Sequence, residues 1–136
     1  MKTNKILAFL VTMVMVLTSC ETDVVDPAGE RGVGSLPAIT NLNPTAFDIN
    51  DPSNTFVKFD LDVNPSIVSE VKFLVSYNGD MQRKEVKSIT TFPQNVKIFM
   101  HEAASAIGIS LDEIGAGDAF TIEAITIQGG KTYRSS

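Results

Sequence analysis

Cys20 and His101 are the only cysteine and the only histidine in a chain of 136 residues. One thiol rules out an internal disulfide and a multi-cysteine zinc or iron–sulfur site, and one imidazole rules out a multi-histidine metal site. His101 stands beside Glu102 where a strand pattern gives way to a helical one, and it reads as an exposed side chain. No Gly-x-Ser-x-Gly elbow offers a serine nucleophile. Asp112 and Glu113 are the residue types that cleave glycosides. Neighbours on a helical turn point apart, and Glu113 has the spacing of a capping box with Ser110. Asp48, Asn50, Asp51 and Asn54 make an oxygen-rich loop without the regular ligand spacing or the glycine of a calcium loop. No catalytic set emerges, so the expectation is a protein that is not an enzyme and holds no cofactor or metal. With 11 basic and 16 acidic residues, the net charge of −5 argues against a nucleic-acid partner.

The elements that position these residues begin with a leader. Lys2 and Lys5 precede residues 6–17, an apolar run broken only by Thr12. A membrane-spanning helix needs about 20 apolar residues, so this run has the length of a signal-peptide core instead. It ends in Leu17-Thr18-Ser19-Cys20, which resembles the lipobox of bacterial lipoproteins. That resemblance implies that residues 1–19 are removed and that Cys20 becomes the acylated N-terminus. The expected partner of this end is the membrane, through the lipid. A doubly acylated end binds membranes firmly where one chain does not. Residues 20–38 then read as the modified Cys and a flexible tether. Pro27, Gly29, Gly32, Gly34 and Pro37 interrupt it, and Glu21, Asp23, Asp26 and Glu30 make it acidic. The acidic start resembles the surface-export signal of Bacteroidetes lipoproteins, which leaves the cell surface or the periplasmic face of the outer membrane as locations.

From residue 39 to 136 the pattern has period two. Val57, Phe59, Leu61 and Val63 alternate with Lys58, Asp60 and Asp62, which predicts a strand with one buried face. Val71, Phe73, Val75 and Tyr77 form a second stripe, and Asn78-Gly79 is a strong hairpin signal. Return strands are expected at 83–91, 96–100 and 120–127, the last with Phe120, Ile122 and Ala124 inward and Thr121, Glu123 and Ile125 outward. Gly129-Gly130 predicts a closing hairpin. Met100, Ala104, Ile107, Leu111 and Ile114 recur instead at helical spacing. The expected fold is all-β, an antiparallel β-sandwich with one short helical connection. Its expected core includes Val57, Phe59, Leu61, Val71, Phe73, Val75, Phe120 and Ile122.

Residues 71–132 resemble the N-terminal immunoglobulin-like domain of Bacteroidetes SusE-type outer-membrane lipoproteins. The resemblance lies in the 71–79 strand and hairpin, Thr91-Phe92-Pro93, the helical 103–111 segment, Gly117-Asp118 with Phe120, and Gly130-Lys131-Thr132-Tyr133. It implies an immunoglobulin-like sandwich and a role beside a SusC/SusD-type polysaccharide importer, as a spacer, docking or glycan-binding accessory. A surface adhesion or fimbrial-type assembly subunit is the alternative. In this sequence the strand after Gly129-Gly130 runs only to Ser136, so the sandwich is expected to have an open edge that a truncation explains or a partner fills.

Sugar rings stack on flat aromatic faces. Trp is absent, and Tyr77 and Tyr133 are the only tyrosines. These two are the candidate glycan contacts, and the phenylalanines read mostly as core. The domain alone is therefore expected to bind polysaccharide weakly or not at all.

Overall fold

The computed structural model describes residues 34–134. The leader and Cys20 lie outside the described residues. The alternating stripes form seven strands: β1 (Ala38–Thr40), β2 (Phe56–Asp62), β3 (Glu70–Tyr77), β4 (Lys84–Ile89), β5 (Gln94–Phe99), β6 (Phe120–Gln128) and β7 (Lys131–Arg134). One helix, α1 (Met100–Ile107), and a 3-10 turn (Leu111–Glu113) lie between β5 and β6. Two antiparallel sheets result, one with the order β1-β2-β5 and the other β4-β3-β6-β7. The protein is an all-β sandwich.

Inward stripes from both sheets meet in one core. Phe59, Leu61, Val71, Phe73, Val96 and Ile98 are buried there, and the Phe59 and Phe73 rings lie 5.2 Å apart. Val57 and Val75 are buried as expected. Phe120 and Ile122 face inward too, in register with Tyr77 and Val75, but are only half-buried. They line an opening between the sheets, so packing covers one side of each. Ile125 lies on the outward face yet is 7% exposed. Its register neighbours are Lys72 and Arg134, and long charged side chains shield apolar surface with their stems.

The helical spacing at 100–114 gives a lid on one end of the sandwich. Met100, Ala104 and Ile114 are buried together against Phe47, Tyr77 and Phe120. Glu102 accepts the Phe99 N–H at 2.9 Å, satisfying one orphan donor at the start of α1. Gly108 stops the helix at φ 89°, a left-handed conformation that favours glycine. Asn78 and Gly79 take positive φ as a tight turn requires. Strand β4 resumes only at Lys84, and a register shift at Phe73/Leu74 follows.

Residues 34–37, which the sequence assigns to the tether, pack on the sheet. Gln128 donates to the Ser35 carbonyl at 2.9 Å and accepts the Ser35 N–H at 3.1 Å. Its amide does what a neighbouring strand would do. This explains why two polar residues, Thr126 and Gln128, are buried on the inward side of β6.

Candidate functional site

Among the described residues an opening with a mostly apolar lining forms the mouth between the two sheets. It is a cleft of about 420 Å³ lined by Val57 and Phe59 of β2, Phe73 of β3, and Phe120 and Ile122 of β6. Leu42 and Ile39 stand at its rim, 48% and 43% exposed. Strand β7 pairs with Ile125 to Gln128, and among the described residues none pairs with the adjoining stretch of β6 on that side.

Strand register determines which backbone groups are left over. Asn78 donates its N–H to the Ala119 carbonyl, and residue 78 would be the next partner in the β3–β6 ladder. Alternation then aims the backbone groups of Thr121 and Glu123 at β3, and those of Phe120, Ile122 and Ala124 at the open side. The residues whose side chains line the cleft are also those whose N–H and C=O groups face a side with no partner strand among the described residues.

A polar hub fixes the far end of this site. Asp118 accepts hydrogen bonds from the Tyr77 hydroxyl, the Gly115 N–H at 2.7 Å and the Asn78 side-chain amide at 2.8 Å. The Asn78 side-chain oxygen Oδ1 in turn accepts the Ala119 N–H at 2.8 Å. The Tyr77 hydroxyl, then the two N–H donors, hold the Asp118 carboxyl below its ordinary range, and the same bond to Asp118 raises the Tyr77 phenol. Each shift favours the protonation state that keeps the bond.

The sequence candidates fall in separate places. Tyr77 pairs in register with Phe120 and Tyr133 with Thr126, six positions apart along β6. The fold therefore does not bring the two tyrosines together as one platform. Tyr133 is also covered, since a Cβ at Gly34 would lie 2.7 Å from its ring. His101 is exposed, with Nδ1 3.2 Å from the Ser53 carbonyl oxygen. Glu113 accepts the Ser110 N–H at 2.7 Å, which completes the expected cap. Asp48 accepts from Asn50, and Asp51 from the Asn54 amide, so these carboxylates brace their own loop. Among the described residues no three His, Cys, Asp or Glu side chains converge as a metal site.

No family model, curated protein or solved structure matches this chain.

Sequence reasoning missed one surface. Phe56 and Phe99 face outward from the three-stranded sheet as a cross-strand pair with ring centroids 5.4 Å apart. Their strand parity carried the signal, because Phe56 alternates with buried Val57 and shares its face with Lys58 and Asp60.

Proposed function

We propose that the chain is a non-catalytic envelope lipoprotein, anchored in the outer membrane through acylated Cys20. In this reading its immunoglobulin-like sandwich is a spacer and docking accessory of a SusC/SusD-type polysaccharide-uptake system. The docking role rests on residues 120–124, which lie beside the apolar cleft and have no strand partner on that side among the described residues. An extended peptide adds to such an edge through main-chain hydrogen bonds, and adjacent pockets select its alternate side chains. The occupant is a partner strand with apolar residues at every second position. Three strand-to-strand connections change sheet, from β2 to β3, β4 to β5 and β5 to β6, which supports the immunoglobulin-like reading. Structural bonds already occupy Glu113, Asp48 and Asp51, which supports a role without catalysis.

The same edge favours one second reading, a surface adhesion or fimbrial-type subunit, because subunits of that kind assemble by strand donation. A photo-crosslinking residue at exposed Thr121, used in cells expressing the full chain, separates the two. A crosslink to an outer-membrane transporter or its glycan-capturing partner supports the accessory. A crosslink to another copy or a fimbrial subunit supports the second reading. No crosslink at Thr121, together with unchanged assembly of an Ile122→Lys variant, overturns strand docking. Anchoring is tested by fatty-acid labelling: Cys20→Ala should lose the label, and a labelled mutant sinks the lipoprotein reading.

A further inference from the structure

The outward face of the β1-β2-β5 sheet carries a constellation separate from the β6 edge. Asp60 sits at its centre. One carboxylate oxygen accepts the Asn41 side-chain N–H at 2.7 Å, and the other accepts that of Asn95 at 2.7 Å. These two bonds fix both amide planes. Asn41 is held at φ 52° on the exit from β1, and the chain there is fastened to β2 by Asn43 N–H to the Lys58 carbonyl at 2.8 Å. The remaining N–H and the carbonyl oxygen of Asn41 and Asn95 have no partner among the described residues. Each amide thus offers a donor and an acceptor side by side, which matches the two hydroxyls of a vicinal diol. A depression of about 340 Å³, lined by Asn41, Leu42, Asn43, Lys58, Asp60 and Asn95, lies over them.

The next rung of the sheet is cationic. Lys58 and Lys97 are direct cross-strand partners, and like charges so placed repel; the Asp60 carboxylate, near Lys58, offsets part of this and leaves Lys97 the more available cation. Lys97 is also pre-positioned, with its ammonium 4.7 Å from the centroid of the Phe56 ring. In a chain of net charge −5, two facing lysines beside a pair of oriented amides are the chemistry of an anionic, hydroxyl-rich ligand. We infer that this face binds an acidic saccharide. Its ring hydroxyls lie on Asn41 and Asn95, and its carboxylate or sulfate lies on Lys58 and Lys97. From Asp60 to Phe56 is four residues, roughly 13 Å at about 3.3 Å each, room for a short run of sugar rings.

This inference uses none of the β6 edge and stands or falls apart from strand docking. The test titrates the full mature chain with trigalacturonate and with its methyl ester, which keeps the hydroxyls and masks the charge. An alginate trimer and a sulfated heparin disaccharide extend the panel. The side-chain amide resonances of Asn41 and Asn95 should shift with the free acid, and binding of the ester should be about tenfold weaker or worse. Asn95→Ala and Lys97→Ala should each weaken binding about tenfold, with unfolding midpoints checked to confirm folding. Equal binding of acid and ester removes the lysine rung from the site. Silence of both amides toward every acidic probe overturns the inference. The Thr121 crosslink should survive both substitutions, so a failure here leaves the docking result readable.

Discussion

Asp118 ties together three donors from three parts of the chain: the end of β3, the turn after it and the loop before β6. Its carboxyl titrates below the ordinary range, chiefly through the Tyr77 hydroxyl. A depressed carboxyl contributes stability that is present above the unfolded pKa, about 3.9, and is lost as pH falls through the folded value. Asp60 is lowered in the same direction by the Asn41 and Asn95 amides and by nearby Lys58, so both groups act in one acidic window. Asp118→Asn should destabilise the domain at pH 7, and the gap from wild type should narrow near pH 3. Urea unfolding at the two pH values measures this, and a gap that stays constant removes the Asp118 charge from the account. Tyr77 has the opposite sign: its raised phenol keeps its contribution below about pH 10 and loses it above.

At the scale of elements, Phe73 is the strictest test of the core. It is 1% exposed and belongs to the main cluster. Phe73→Ala should cost about 3–5 kcal/mol, read as a lowered denaturant midpoint at unchanged slope. A shift of a few tenths would place the ring outside the core. The strand β3 that holds it was legible in sequence, because period-two alternation matches the buried face of β2 throughout and that of β3 from Val71 to Val75; at the end of β3, Ser76 is buried and Tyr77 half-buried. The helical spacing from Met100 to Ile114 was legible for the same reason, and Met100, Ala104, Leu111 and Ile114 of that set do pack together, while Ile107 lies outside the cluster. Strand β6 was less so. Thr126 and Gln128 point inward, and the Ser35 that satisfies them lies 93 residues from Gln128. No local pattern carries such a pairing. The Asp60 amides were illegible on the same ground, since their separations of 19 and 35 residues meet only through the β1–β2 and β2–β5 registers. The outward position of Phe56 was legible by parity, since it alternates with Val57 in β2.

Across the whole molecule the two long sides of the sandwich differ. On one, Lys87 of β4 donates to the Lys97 carbonyl of β5 at 2.6 Å and to Glu102 of α1 at 3.2 Å, so one ammonium joins both sheets and the lid. On the other lies the open cleft beside residues 120–124. Amide hydrogen exchange should register this difference: in β6, Thr121 and Glu123 exchange slowly, while Phe120, Ile122 and Ala124 exchange fast. Equal protection of Ile122 and Glu123 would mean that the edge is already covered. The Lys87 junction also has a mechanical meaning. The two sheets are bound like the boards of a book, with Lys87 in the spine and, at the fore-edge, the strap of residues 34–37 running from Gln128 to β1. Anything slipped between the boards from the fore-edge leaves the spine fastened. An inserted strand would then add its binding energy to the stability of the fold instead of spending it on breaking the molecule open.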